Sequence, residues 1–241
     1  MSTNRLENYK KKKIILITGT SKGIGYYLAN YYIKKNYIVI GCSRTINKVK
    51  NKNYHHYILD ISDENKVVKM FSEIRKKFKK LDFLINNAGV ASMNHSLLTP
   101  MTSVKKILST NIEGLFLMSR EASKIMQSNK FGRIINFSSV AAPLNLEGES
   151  IYAASKSAVV SLTKTLAKEL GELGITVNAL GPTPVKTDLI KKVPIKKIDE
   201  LIKKQTIKRY GTFDDISNIV DFLIKKESNF ITGQIIYMGG L

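Results

Sequence analysis

Two hydrophobic patterns alternate along the chain. Short strand-like runs occur at IILIT (14–18), YIVIGC (37–42), YHHYILD (54–60), DFLIN (82–86), RIINFS (133–138), ITVNAL (175–180) and QIIYM (234–238). Between them lie longer amphipathic segments at about 23–35, 63–79, 103–129, 150–171 and 213–226. In DENKVVKMFSEIRKKF, Val67, Met70, Phe71, Ile74 and Phe78 recur at three- and four-residue steps, the period of one helix face, and Asp63 stands where it caps the start. Apolar strands alternating with amphipathic helices predict an α/β fold, a doubly wound parallel sheet of seven strands with helices on both faces. No repeat, low-complexity linker or abrupt shift in composition divides residues 1–241, so one domain is expected. Pro182, Pro184 and Pro194 make 182–212 the least regular stretch. It reads as a loop and a short mobile helix, the form of a substrate lid or of a plain surface insertion.

Composition narrows the classes. Hydrophobic residues make up 43% of the 241, as in globular proteins, and no run approaches a membrane span. The start, MSTNRLENYKKKKIILITG, lacks the features of a signal peptide, so residues 1–13 read as a basic, flexible arm and the protein as cytoplasmic. The single Cys42 follows an apolar run and reads as a buried, inert thiol. His55, His56 and His95 show no metal-ligand spacing, and the adjacent pair points to opposite faces of a strand. No metal site is expected. The net charge of +20 comes from lysines spread along the chain with no nucleic-acid motif beside them. It reads as a solvated surface rather than a nucleic-acid or membrane footprint.

Candidate chemistry begins at ILITGTSKGIGYYLANYYIKK, a strand, a turn with Gly19, Gly23 and Gly25, and a helix. Such a turn brings backbone close to a pyrophosphate, whose charge sits at the positive helix N-terminus. This is the phosphate turn of a Rossmann-like domain. The second strand ends in Ser43 and Arg44 with no acid to bind a free ribose 2′-hydroxyl. With Lys22 in the turn, the basic pair favours the 2′-phosphate of NADP(H) over NAD(H). Tyr152 and Lys156, one helical turn apart in YAASK, share a face. That pair alone decides nothing between packing and proton transfer.

Eight motifs carry a resemblance to the short-chain dehydrogenase/reductase family, especially its 3-oxoacyl-[acyl-carrier-protein] reductases. They are TGTSKGIG (18–25), LDIS (59–62), NNAG (86–89), NIEG (111–114), FSS (137–139), YAASK (152–156), VNALGP (177–182) and ITGQ (231–234). The resemblance implies a catalytic tetrad of Asn111, Ser139, Tyr152 and Lys156. Ser138 competes for the serine role, and the family spacing of thirteen residues to Tyr152 selects Ser139. The chemistry agrees: a hydroxyl donor stabilises the developing oxyanion, a phenol delivers the proton, and a nearby ammonium lowers the phenol pKa. Asn111 is implied to hold a water on the proton path. The implied cofactor contacts are Gly19, Ser21, Lys22, Gly23, Ile24 and Gly25 in the turn and Ser43 and Arg44 after the second strand. Asp60 and Ile61 flank the adenine, and Asn87, Ala88 and Gly89 line the fourth strand. Pro182, Val185, Thr187, Tyr152 and Lys156 complete the set.

Two departures bear on the substrate. Thr183 follows Pro182 where the family usually has glycine, which predicts a differently shaped loop. Leu173 stands where carrier-protein reductases often have a basic residue, leaving Lys130 to meet an acidic acyl carrier protein. The expected activity is NADP(H)-dependent hydride transfer between nicotinamide and a carbonyl or secondary alcohol, with a 3-oxoacyl thioester as first substrate. The alternatives are a sugar or other small hydroxy compound, as in surface-polysaccharide synthesis, and an NADP-sensing protein without turnover. The resemblance also implies a homodimer or homotetramer paired through the helices at 103–129 and 150–171.

Overall fold

The structure, a computed structural model, describes residues 12–191 and 193–240; the expected basic arm at 1–13 lies, but for its last two residues, outside the described residues. Its strands are β1 (Ile14–Thr18), β2 (Ile38–Ser43), β3 (Tyr54–Ile58), β4 (Phe83–Asn86), β5 (Gly132–Phe137), β6 (Ile175–Gly181) and β7 (Ile235–Tyr237). They form one sheet in the order β3-β2-β1-β4-β5-β6-β7, every pair parallel. The chain builds outward from β1 to β3, crosses back to β4, and builds outward again to β7. The reversal lies between β1 and β4, and ligands bind doubly wound sheets at the carboxyl ends of the strands beside such a point.

The helices are α1 (Gly23–Lys34), α2 (Glu64–Phe78), α3 (Met101–Leu108), α4 (Leu115–Met126), α5 (Ala141–Leu144), α6 (Ser150–Leu170), α7 (Ile195–Lys204) and α8 (Phe213–Ile224). Side chains of α2, α4 and α6 meet one face of the sheet, and those of α1 and α8 the other. All five apolar residues picked out in α2 are buried in the first layer, each burial stabilising by roughly 1.5–3 kcal/mol. Asp63 accepts from the Lys66 amide as its cap. Cys42 is fully buried, and burial pushes its thiol up to about 12, as an inert thiol requires. His55 packs edge-on against Phe78, while His56 bonds Tyr54 and the Ser43 hydroxyl on the opposite side.

The segment expected as one helix at 103–129 is interrupted. Between α3 and α4, Ser109–Gly114 widens into a π-helical turn, and Gln127–Asn129 tightens into a 3₁₀ turn. Hydrophobic periodicity misses the interruption because a single π turn has no residue-type signal of its own. The lid stretch carries α7 and a single bridge joining Val185 to Gly211. Thr183 does not adopt the left-handed backbone that would demand glycine, and its methyl group occupies space that Gly211 leaves by lacking a Cβ. Thr183 thus packs against a second glycine across the loop.

Thr212 closes this region by capping α8. Its hydroxyl accepts from the Asp215 amide at 3.1 Å, and the Asp215 carboxylate accepts from the Thr212 amide at 2.8 Å and from Arg209. Thr212→Ala is expected to cost about 1 kcal/mol and to lower Tm by about 2–4 °C in a thermal melt. An unchanged Tm would show that Arg209 alone secures this helix start.

Candidate active site

The carboxyl ends of β1 and β4 meet at the glycine turn. Gly19 and Gly23 have φ of 76° and 59°. A Cβ on Gly25 would collide with the Gly19 carbonyl and the Asn87 amide, so the turn closes only with glycine there. Asn87 ties the turn to β4 by donating to the Thr18 carbonyl at 2.9 Å, and the Ala88 amide donates to the Thr18 hydroxyl at 2.8 Å. No side chain caps α1 and no acid lies in its first turn, leaving its N–H groups open to an anion beside Ser21 and Ile24.

The adenosine end is built differently from the expectation in two details. Ser43 is buried and donates to the Thr45 carbonyl at 2.7 Å, so Arg44, exposed, is the group turned outward. Asn47 clamps this loop onto the turn by donating to the Thr20 carbonyl. Asp60 accepts from the Ser62 amide and hydroxyl. Ile61 is 5% exposed and fills the space beside Gly114, so its side chain belongs to the core and its backbone alone faces outward. Lys22 lies 3.4 Å from Asp188 of the lid, an exposed pair, and Thr187 packs beside Gly23.

Beyond the turn, a cavity of about 540 Å³ opens between β4 to β6 and the lid, lined among others by Asn87, Gly89, Ser139, Tyr152, Lys156, Pro182, Val185 and Thr187. Tyr152 and Lys156 both project into it from α6. The Lys156 amine donates to the Phe137 carbonyl at 2.7 Å and stands 5.8 Å from the Tyr152 ring centre. The structure separates the two serines. Ser138 is turned inward and donates to the Lys156 carbonyl at 3.0 Å. Ser139 accepts from the Ala141 amide at 3.1 Å and lines the cavity with Tyr152.

Asn111 sits in the widened turn, 1% exposed. Its side-chain amide donates to the Val90 carbonyl and the Ser155 hydroxyl, both at 3.0 Å, and its oxygen accepts from the Val90 amide at 2.9 Å. The side chain is thus fully engaged with protein. Gly89 packs between Asn111 and Lys156, where a Cβ would lie 3.4 Å from one and 3.5 Å from the other.

The electrostatics correct one expectation. A lysine-lowered phenol pKa is expected from the residue pair, yet in this structure burial pushes Tyr152 up to about 12, with Ser139 pulling it down and Glu149 adding to the rise. Burial also pulls Lys156 down to about 8. The reason is separation: the amine is aimed at the Phe137 carbonyl rather than at the phenol oxygen.

Asn47, Ser155 and Glu149 were not legible as site residues. Asn47 and Ser155 act through hydrogen bonds to residues 27 and 44 positions away, for which local pattern carries no signal. Among the described residues no cluster of potential ligands suits a metal, and no helix is long and apolar enough to cross a membrane.

Comparison with known proteins gives a consistent picture. A family model described as enoyl-(acyl carrier protein) reductase matches residues 19–240. The 3-oxoacyl-[acyl-carrier-protein] reductase FabG of Buchnera aphidicola subsp. Baizongia pistaciae (strain Bp) is 37% identical over 238 residues, covering 95% of this chain and 96% of that protein. A structure described as ElxO with NADP bound superposes with a TM-score of 0.86 at 33% identity, covering 94% of this chain and 97% of the other. A 4-hydroxyisoleucine dehydrogenase complexed with NADH gives 0.83 at 28%, covering 95% and 98%.

Proposed function

The chain belongs to the short-chain dehydrogenase/reductase family, oxidoreductases that act on CH–OH and carbonyl groups with a nicotinamide cofactor, and we propose that it is a carbonyl reductase that prefers NADP(H) and uses Tyr152 as its proton donor. One observation carries the reading: Ser139, Tyr152 and Lys156 line one cavity.

The residues fit the cofactor at both ends. Gly19, Ser21, Gly23, Ile24 and Gly25 would hold the pyrophosphate on the open first turn of α1, with Lys22 and Arg44 at the 2′-phosphate. Asp60, Ile61, Asn87, Ala88 and Gly89 would flank the adenine and ribose, and Pro182, Val185 and Thr187 the nicotinamide side. The bound cofactor supplies the hydride that adds to the carbonyl carbon. Ser139 donates to the carbonyl oxygen and stabilises its growing charge. Tyr152 donates to the same oxygen and releases its proton as the charge forms. Lys156, from the same cavity wall, returns a proton to the phenol. The backbone at Asn111 holds the water through which that proton is replaced.

The first substrate in this reading is a 3-oxoacyl thioester, as the names of the FabG relatives suggest, with Lys130 and the basic surface meeting an acidic carrier. A small hydroxy compound is the second reading, favoured by Glu149 and Lys197 on the cavity wall. Pairing into a homodimer or homotetramer through α4 and α6 belongs to the same proposal.

The test follows the absorbance of the reduced nicotinamide with NADPH and NADH against acetoacetyl thioesters and a panel of sugar ketones. Oxidation with some carbonyl and NADPH is expected; NADPH binding without any turnover would leave the sensing protein as the answer. Arg44→Ala is expected to raise KM for NADPH about tenfold through loss of a charge-assisted bond, leaving NADH unchanged. Equal changes for both cofactors would remove Arg44 from the 2′-phosphate.

A further inference from the structure

Glu149 is an acid to which none of the catalytic or cofactor-binding roles above gives a part. It stands at the N-cap of α6, where a carboxylate normally accepts from the free amides of the first turn. Here it makes no such bond, and no hydrogen bond or ion pair joins its carboxylate to any described residue. Its side chain lines the cavity instead, three residues before Tyr152 and thus on the same side of the helix. It is close enough to the phenol to raise the phenol pKa. Burial raises its own pKa, while Lys197 of α7 opposes that rise from the facing wall. The Lys197 amine approaches the Glu147 carbonyl at 3.5 Å and the space beside Gly148, so it hangs over the mouth of the same cavity.

A half-buried carboxylate without a protein partner costs free energy that a ligand donor would offset. The opposing charges restrict what that ligand is. An ammonium reaching Glu149 would meet Lys197, and a carboxylate reaching Lys197 would meet Glu149. A neutral hydroxyl suffers neither repulsion and donates to the carboxylate. Positions three apart on a helix have Cβ atoms about 5–6 Å apart, so the donor sits a few bonds from the carbonyl that Tyr152 addresses.

We propose that Glu149 is a specificity-determining residue that accepts a hydrogen bond from a substrate hydroxyl near the reacting carbonyl, so that hydroxylated ketones are preferred over matching ketones without it. The inference rests on the carbonyl-reductase reading and names the feature of the substrate that the cavity selects.

The test measures binding and turnover separately. Binding of 3-hydroxy-3-methyl-2-butanone, whose tertiary alcohol has no hydride to give, and of 3,3-dimethyl-2-butanone, which has a methyl group in place of the hydroxyl, is measured by calorimetry on the NADP⁺-loaded protein, where no hydride is available for reduction. The wild type is expected to bind the hydroxylated ketone about tenfold more tightly. Glu149→Leu removes the preference, and Glu149→Gln, which keeps the shape and one acceptor oxygen, reduces it to about threefold, a loss of roughly half the bond. Thermal melts verify that both variants are folded. A preference unchanged in folded Glu149→Leu, or no preference in the wild type, overturns the inference. If NADPH is oxidised with both ketones but the ratio ignores Glu149, the inference alone fails. If neither is reduced while the Glu149-dependent preference persists, the inference stands and the carbonyl-reductase reading fails.

Discussion

Tyr152→Phe is expected to lower kcat for carbonyl reduction by about 10²–10⁴, the usual contribution of a positioned acid, while Kd for NADPH stays within about twofold. The two effects separate because the change removes one hydroxyl and keeps the ring. That ring is 9% exposed and lies beside the Lys156 amine, so its packing survives without the oxygen. Ser139 keeps its bond from the Ala141 amide and stays oriented. Burial pushes the phenol up to about 12, so it is neutral at ordinary pH and holds the proton it must deliver. Absorbance of the reduced nicotinamide reads the rate, and fluorescence titration reads cofactor affinity. Residual turnover above a tenth of wild type would give the proton to another group.

Lys156→Met is expected to raise stability and lower activity together. Turnover falls by about 10²–10³, because the group that returns the proton to the phenol is lost. Stability rises because the wild-type ammonium is 5% exposed and has no acid beside it, only the Phe137 carbonyl. Burial pulls its pKa from 10.5 to about 8, a shift of order 3 kcal/mol when carried through linkage. Below about pH 8 the amine is charged in both folded and unfolded chains, and the burial cost is present in full. Between about 8 and 10.5 the folded chain releases a proton that the unfolded chain still holds, and the cost fades. The advantage of Lys156→Met should therefore be largest below about pH 8 and shrink towards 10.5. Urea unfolding of the cofactor-free protein across this range measures it. An advantage that grows with pH would contradict a depressed Lys156. Retention of so costly a lysine is the pattern of a site that trades stability for chemistry.

Both predictions depend on groups whose identity is local and whose environment is not. Tyr152 and Lys156 share a face by helical spacing alone, and a glycine-rich turn between strand and helix is a nearest-neighbour pattern. The same holds for the apolar stripe of α2 and the cap at Asp63. These follow from short-range periodicity and sterics, which act over one or two turns. The choice between Ser138 and Ser139 needed the family spacing, because adjacent residues differ only in which way the chain turns after β5. The structure shows that turn directly, with the Ser138 hydroxyl on the α6 backbone and the Ser139 hydroxyl accepting from the Ala141 amide.

Residue pattern alone was enough to establish a parallel α/β sheet, a glycine turn between its first strand and helix, a buried thiol, and Tyr152 and Lys156 on one helix face. Contacts between distant segments settled the remainder. The wide turn at Asn111 is stabilised by Val90 and Ser155, and Asn47 closes on Thr20. Thr183 is accommodated by Gly211, which lies across the lid. The Tyr152 pKa rises through burial and the nearby Glu149 carboxylate, and Glu149 faces a cavity instead of capping its helix. Burial and desolvation are properties of everything packed around a group, so they exist only once the sheet, α6 and the lid have come together.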